Sequence, residues 1–468
     1  MRRNISYAPG MWGSQRALAI FAVLAGLATT ACNRSEPTPP APSTTIQTDA
    51  PDSGVDDNDE SVASIDQRAD LRRPEPASAL PLISGPQCLR RPKPYRGNFG
   101  NAIAVSDTIV AVPIGGFTIA LYERNPAGQW KFTREVTTEP IKGASNFGEA
   151  LALGDDFLAV SAPFYTEVSP DGKRRRVTGA VFIYHRTADG SFQFTTRLSP
   201  EDTADTKNFG DRLSARGNKL LVGASSRDAQ QGIVNTVGFL YEHNNAKDWK
   251  QVARLASSDK VTPFRKRVSL YLGDGVALLG DGEFKSQSGF VSVFHDKGNN
   301  DWQLTATLTA GKDDRFGQLG RAVAMIDGKI VVGQPGNRDK AQLNGIVRVY
   351  AHSGEWSRMQ SIYSDDPVLG EQFGTWIVAN DDIVVVAARA ATLVERGNTA
   401  YAFHLKDDRL VPLQHFRAAD LDGSLHFAHA VAISDKVLAF GDKEFTDDGV
   451  PPHKSTTAGA VFVYNIQR

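Results

Sequence analysis

One short pattern of apolar and polar positions recurs seven times along this chain. Each copy begins with an aromatic residue and a glycine, alternates apolar with small or polar residues, turns sharply, and ends in an almost continuous apolar run. The first copy, from Phe99, reads FGNAIAVSDTIVAV, and the copy from Phe373 reads FGTWIVANDDIVVV. Alternation suits a strand with one buried face, and the apolar run suits a strand buried on both faces. The pattern therefore predicts a series of β-hairpins.

The copies are regularly spaced. The glycine position of the pattern is occupied by Gly100, Gly148, Gly210, Arg265, Gly320, Gly374 and Ala428. A period of roughly 50–60 residues indicates an array of one repeated supersecondary unit rather than independent domains.

Two further strands complete each unit. The third begins at a glycine, as in GAVFIY from Gly179 and GAVFVY from Gly459. The fourth is led by an aromatic residue, for example Trp130 or Trp302. Four short antiparallel strands per repeat are typical of a propeller blade, and no segment of the array has a sustained helical period. The predicted fold class is all-β, a seven-bladed β-propeller of four-stranded antiparallel blades.

The seventh copy ends directly after its third strand. We expect the segment Ala79–Ile83, which precedes the first copy, to supply the missing fourth strand and close the ring. Closure of this kind covers two strand edges that are otherwise open. Pro81 argues against this assignment because proline cannot donate to a ladder, although an outer edge strand tolerates it.

These segments resemble the FG-GAP repeat family, which forms the propeller of integrin alpha chains and of many bacterial surface proteins. Many members carry an acidic calcium loop in the turn between strands 1 and 2. The corresponding turns here are short and hold at most two acids, too few for calcium. The run from Asp420 to Gly423, DLDG, lies elsewhere in the repeat and is interpreted as a plain turn. We therefore expect no metal site and no cofactor.

The N-terminus has the layout of a bacterial export signal. Arg16 and earlier arginines precede an apolar stretch, Ala17–Ala28, which is followed by small residues and Cys32. We predict a lipoprotein signal peptide over residues 1–31 with lipidation of Cys32, the alternative being an ordinary signal peptide with an incidental cysteine. Residues 32–77, rich in Pro, Ser and Asp, are predicted to be a disordered tether, and residues 78–468 the propeller.

Charge and export narrow the range of partners. The formal net charge is −1, which argues against nucleic acid as a partner. The predicted location is the bacterial cell envelope, with membrane contact through the lipid anchor only. Asn33 after the lipidated cysteine favours the outer membrane under the sorting rule of well-known Gram-negative bacteria. We expect a monomeric propeller.

The histidines are the first place to look for chemistry. Five occur just beyond the aromatic residue of strand 3: His185, His243, His295, His352 and His404. This repeated position assigns them to five different blades, so we expect that they do not converge on one metal ion or substrate. Motifs for nucleophilic catalysis or phosphate binding are missing from the sequence. We therefore expect no catalytic residues and no enzymatic activity.

The variable loops are the more informative positions. In a propeller, the strand 2–3 loops and the strand 4–1 connections emerge on one face, around the mouth of the central channel. The candidate residues of this ligand face are Phe164, Tyr165, Lys173, Arg174, Arg175, Arg176, Arg227, Lys285, Arg338, Lys340, Arg396 and Lys443. A basic rim with aromatic residues suits an acidic glycan or an acidic protein surface, although solvated loop charge is the simpler interpretation.

Three functional hypotheses remain open. The first is a non-catalytic, envelope-anchored binding or scaffold module whose partner is an envelope protein or a cell-surface glycan. The second is a polysaccharide-acting enzyme with acidic residues at the channel mouth. The third is an assembly factor or stable subunit of an envelope complex.

Overall fold

A computed structural model describes the propeller region of the chain with gaps. The described residues are 80–92, 99–115, 117–137, 146–168, 174–200, 205–228, 233–257, 268–282, 288–310, 317–337, 344–365, 370–389, 398–421, 426–446 and 459–467. The predicted signal peptide, Cys32 and the predicted tether over 32–77 lie outside these residues. Within the described ranges, no helix has both the length and the apolarity needed to cross a membrane.

The first strand and the first three blades occupy the N-terminal half of the described chain. Strand β1 spans Leu82–Arg90; blade 1 contains β2 (Ala104–Val105), β3 (Ile109–Gly115), β4 (Thr118–Arg124) and β5 (Trp130–Thr137). Blade 2 contains β6 (Leu151–Leu153), β7 (Phe157–Ala162), β10 (Ala180–Arg186) and β11 (Phe192–Leu198), with an added hairpin of β8 (Thr166–Val168) and β9 (Arg174–Val177). Blade 3 contains β13 (Leu213–Arg216), β14 (Lys219–Asp228), β15 (Ile233–His243) and β16 (Trp249–Ala256), with the short β12 (Thr206–Lys207) also paired to β14.

Four blades follow with the same order of strands. Blade 4 contains β17 (Val268–Gly273), β18 (Val276–Asp281), β19 (Phe290–Asp296) and β20 (Trp302–Thr309). Blade 5 contains β21 (Ala322–Ile326), β22 (Lys329–Gln334), β23 (Ile346–Ser353) and β24 (Glu355–Ile362). Blade 6 contains β25 (Phe373–Ala379), β26 (Ile383–Ala388), β27 (Thr399–Lys406) and β28 (Arg409–Arg417), followed by a 3-10 helix, Ala418–Asp420; blade 7 contains β29 (Ala430–Ile433), β30 (Val437–Asp442) and β31 (Ala460–Gln467).

The blades form a closed ring, as the repeat predicts. Each blade is an antiparallel meander, and the inner strands β2, β6, β13, β17, β21, β25 and β29 contact one another in sequence, with β29 returning to β2. The seven-bladed, four-stranded, all-β architecture predicted from the pattern is therefore confirmed.

The apolar core lies between neighbouring blades. Leu121 of blade 1 belongs to one buried cluster with Leu158 and Val160 of blade 2. Equivalent clusters join the later blades, so the second strands, buried on both faces, act as the walls of successive interfaces. The stability of each blade therefore depends on its neighbours, as expected for a repeat protein.

The aromatic-glycine pair connects one blade to the next. Phe209 is fully buried, and the backbone of Gly179 in the preceding blade forms a parallel bridge with it. A Cβ placed on Gly179 would lie 2.3 Å from the carbonyl oxygen of Phe209, and the φ of Gly179 is +86°. Glycine is required there both by the close approach of backbones and by the left-handed conformation.

Ring closure occurs through β1, which pairs antiparallel with β31 in blade 7. The closing strand is Leu82–Arg90, later in the chain than the predicted Ala79–Ile83. Ile83 and Leu89 are the buried apolar anchors that select this segment. Gln87 also exchanges hydrogen bonds of 2.7 and 2.8 Å with the backbone of Trp130, so β1 joins blade 7 to blade 1.

Candidate functional site

The inner strands of all seven blades line a central channel. One cavity of about 580 Å³ occupies the end of the channel at the strand 1–2 turns. A second cavity, of about 430 Å³, lies where the inner strands begin, at the end reached by the strand 4–1 connections. We call these two ends the turn-side mouth and the loop-side mouth.

The turn-side mouth is acidic. Its lining includes Asp274, Asp327, Asp381 and Asp435, together with Arg216. Arg216 donates hydrogen bonds of 3.2 and 2.8 Å to the two carboxylate oxygens of Asp274. Hydrogen bonding from Arg216 is the main cause of the lowered pKa of Asp274, so the carboxylate stays ionised. An anionic ligand would be repelled at this mouth.

The loop-side mouth is more basic and contains an aromatic residue. Its lining includes Arg212, Lys443, His429 and Trp376, with Glu149 as the carboxylate. His429 is held by a contact of 3.1 Å between its Nε2 and the Oδ1 of Asn101, which links blade 7 to blade 1. The two mouths therefore differ in the sign of their charge.

Two arginines from other blades lie over the Trp376 ring. The guanidinium carbon of Arg212 is 5.3 Å from the centre of the Trp376 ring, and that of Arg321 is 5.9 Å away. Both distances are within the range of a cation–π contact. Blades 3, 5 and 6 thus bring two fixed positive charges and an indole to one place, which we call the arginine–tryptophan cluster.

The sequence contains a signal for this cluster on the inner strands, outside the variable loops. The second position after the glycine of the repeat is alanine in four copies: Ala102, Ala150, Ala322 and Ala430. In the copies from Phe209 and Phe373 that position is Arg212 and Trp376. Large residues that replace a repeated alanine on the channel-lining strand are visible when the seven copies are aligned with one another.

Apart from Tyr165, the predicted ligand-face residues divide into three groups. Lys443 lines the loop-side mouth, directly after β30, and Phe164 is 45% exposed on the strand 2–3 loop of blade 2. Arg174, Arg175, Arg176 and Arg227 lie on the described strands β9 and β14, but their side chains are not described. The others, Lys173, Lys285, Arg338, Lys340 and Arg396, lie outside the described residues.

Tyr165 was predicted to belong to the ligand face, but the structure buries it. Its side chain is buried against Phe182, with ring centres 6.0 Å apart. Its hydroxyl accepts a hydrogen bond from Arg197, whose guanidinium also lies 4.9 Å from the ring centre. Tyr165 therefore stabilises the base of its loop and is not available to a ligand.

The structure contradicts a second prediction, that the histidines beyond strand 3 do not converge. The rings of His185 and His243 have centres 4.8 Å apart, and both histidines contact the carboxylate of Asp156. The prediction that these histidines stay apart was wrong for this pair, because the outer ends of strand 3 in blades 2 and 3 are adjacent and the strand 1–2 turn of blade 2 lies beside both. In the DLDG run, Asp420 ends the 3-10 helix, and Asp422 and Gly423 lie outside the described residues.

Comparisons with known proteins give little beyond these observations. No protein-family model matches the chain, and no curated protein matches it. Among solved structures, the chain is similar to a crystal structure of a protein from Lactobacillus plantarum, at 11% sequence identity and a TM-score of 0.41. That similarity covers 68% of this chain and 84% of the other.

Proposed function

We propose that this chain is a non-catalytic binding module of the bacterial cell envelope, tethered through a lipidated Cys32, whose loop-side mouth binds an acidic glycan. The arginine–tryptophan cluster is the observation that carries this proposal. Arg212 and Trp376 line a concave cavity of about 430 Å³, and the guanidinium group of Arg321 lies over the same indole. Concave sites with a few convergent polar groups are the usual form of a ligand pocket.

The chemistry of the cluster favours a ligand that combines a ring with negative charge. The planar guanidinium matches a carboxylate or a sulfate in geometry as well as in charge. The indole adds apolar surface beside the two guanidinium groups that lie over its ring. Lys443 adds a further basic side chain to the lining that contains Arg212. An acidic polysaccharide offers both features in one repeating unit.

The distribution of carboxylates favours binding over hydrolysis. Glycoside hydrolysis by the usual route needs two carboxyl groups across the scissile bond. Among the described lining residues of the loop-side mouth, Glu149 is the one carboxylate. The aspartates that line the channel lie at the turn-side mouth, with the inner strands between them and the cluster. This arrangement supports the non-catalytic hypothesis.

Binding to defined acidic glycans tests the proposal. The mature chain, made soluble by replacing Cys32 with Ser, is screened on a glycan array, and binders are measured by calorimetry. We expect Trp376→Ala and Arg212→Gln each to weaken binding about tenfold or more, in line with the loss of one contact of 1–2 kcal/mol. Arg216→Gln serves as the control, because Arg212 and Arg216 flank the same strand at opposite mouths of the channel.

Three outcomes contradict the proposal in different ways. Equal binding by Arg212→Gln and Arg216→Gln would show that the arginine–tryptophan cluster is not part of the binding site. Release of a shortened glycan would show that the chain is an enzyme and not a non-catalytic binding module. Capture of an envelope protein in fixed stoichiometry, with no glycan bound, would instead favour a scaffold or assembly factor with an acidic protein partner.

A further inference from the structure

We propose that Asp156 and His243 form a binding site for a divalent transition-metal ion such as Zn²⁺, with His185 as the residue that orients the carboxylate. The site lies between blades 2 and 3 on the turn side of the propeller. It is independent of the proposed function, which uses the opposite face. Its ligand atoms, one from each of the three residues, all lie within 4.8 Å of one another.

Two buried atoms at the centre of the site lack hydrogen-bond partners. They are Oδ1 of Asp156 and Nε2 of His243, and the distance between them is 3.1 Å. Buried polar atoms without a partner are rare in folded proteins, and each one calls for an explanation such as a missing ion. His243 is 7% exposed, so bulk water does not satisfy its ring nitrogen.

The hydrogen bond made by Nδ1 of His243 determines whether Nε2 carries a proton or a lone pair. Nδ1 lies 3.0 Å from the carbonyl oxygen of Asn244 and therefore carries a proton. In the neutral ring, Nε2 then presents a lone pair to a carboxylate oxygen, and two lone pairs facing each other repel. A cation between them removes the repulsion. A backbone carbonyl on the opposite nitrogen is the arrangement that commonly orients a metal-binding histidine.

The separation of the two atoms fits a shared metal ion. Zinc binds histidine nitrogen and carboxylate oxygen at about 2.0–2.2 Å. With ligand–metal–ligand angles of about 90–109°, two such ligands stand roughly 3.0–3.5 Å apart, and the observed distance of 3.1 Å lies in that range. One imidazole and one carboxylate suit zinc and its neighbours better than magnesium or calcium, which prefer oxygen alone. The Asp156 side chain as a whole is 41% exposed, so solvent reaches this residue although its Oδ1 is buried.

His185 is a positioning residue in this site and not a metal ligand. Its Nε2 accepts a hydrogen bond of 3.0 Å from Nε1 of Trp249, an atom that only donates. Nδ1 of His185 therefore carries the proton and points at Oδ2 of Asp156, 3.4 Å away. This contact holds the carboxylate so that Oδ1 faces His243. The Trp249 ring and Phe157, with centres 4.8 Å apart, form the apolar wall of the site.

Metal titration of the mature Cys32→Ser chain, treated with chelator and dialysed, tests the proposal. We expect calorimetry to show one Zn²⁺ site, and Asp156→Asn or His243→Gln to weaken it at least tenfold. His185→Gln should weaken binding less, and His185→Asn, which keeps an amide N–H donor near the position of Nδ1, should restore part of the loss. His404→Gln is the matched control, because His404 pairs with the first residue of strand 2 in blade 6 as His185 does in blade 2.

Spectroscopy separates coordination from an effect on folding. The Co²⁺-loaded wild-type protein should show the absorption of a mixed nitrogen and oxygen site, and X-ray absorption of the zinc form should show one imidazole ligand. Zero or two imidazoles, no Zn²⁺ binding at 100 times the protein concentration, or equal binding by wild type, Asp156→Asn and His243→Gln would each overturn the proposal. If the His243 ring binds a proton and no metal, its NMR signals will change with pH in the same way with and without Zn²⁺. That result would also overturn the proposal.

Discussion

At the scale of single residues, the glycine before the third strand shows what the repeat encodes. In blade 5, a Cβ on Gly345 would lie 2.3 Å from the carbonyl oxygen of Phe373, the aromatic residue of the next copy. Another glycine of the same blade, Gly354, also has a positive φ, but a Cβ added to it would have no other atom within 4 Å. Glycine is therefore required at position 345 by both packing and backbone conformation, and at position 354 by backbone conformation alone.

This difference can be measured with two alanine substitutions. Gly354→Ala should lower the free energy of unfolding by about 1–2 kcal/mol, the cost of the left-handed conformation for a residue with a side chain. Gly345→Ala should cost more than about 3 kcal/mol, because the blade interface must also open to admit the methyl group. Urea denaturation followed by circular dichroism compares the two. Equal costs would show that the close approach between blades is not what selects glycine.

Contacts between residues of different blades are not encoded by the local pattern of the sequence. Arg212 and Trp376 are 5.3 Å apart in space but belong to blades 3 and 6. Their meeting depends on the curvature of the closed ring, which no local pattern reports. His185 and His243 were assigned correctly to the ends of their strands, yet the contact between those ends across two blades was not foreseen. Strand positions follow from local pattern, whereas contacts across the ring follow from packing.

At the scale of secondary-structure elements, the strand pattern was predictable and the closing strand was less so. Alternation and turn residues identify the strands of each blade because their period and turn chemistry are local properties. The closing strand has no repeat of its own to mark it. Its position depends on which apolar residues become buried: Leu89 packs in the cluster between blades 7 and 1, and Ile83 is buried in the same strand.

The closing strand offers a matched pair of leucines for a stability test. Leu89 is 3% exposed and packs in the cluster between blades 7 and 1, whereas Leu82, in the same strand, is 59% exposed. Leu89→Ala should reduce the free energy of unfolding by about 2–5 kcal/mol, and Leu82→Ala should change it by no more than about 0.5 kcal/mol. Both are measured by chemical denaturation at one pH. A similar small effect for both would mean that β1 does not seal the ring.

At the scale of the whole molecule, the ring gives the channel a polarity. The turn-side mouth carries four aspartates against Arg216, and the loop-side mouth carries Arg212 and Lys443 against Glu149, with Arg321 nearby over the Trp376 ring. This polarity is present although the formal net charge of the chain is only −1, so composition alone does not reveal it. Charges of one sign around a concave mouth attract ligands of the opposite sign from beyond contact distance.

Under the proposed binding of an acidic glycan, the polarity of the channel predicts how salt changes the association rate. At 0.15 M salt the screening length is about 8 Å, so raising the salt concentration should slow association with the wild-type protein. Arg212→Gln should lower the association rate and flatten its dependence on salt, because it removes a charge from the attracting mouth. Arg216→Gln removes the same charge from the other mouth, where Asp274 pairs with it at 2.8 Å, and should leave both quantities close to wild type. Stopped-flow or surface plasmon resonance measurements over a series of salt concentrations compare the three proteins. An equal loss in both variants would mean that net charge, and not the sidedness of the channel, controls the encounter.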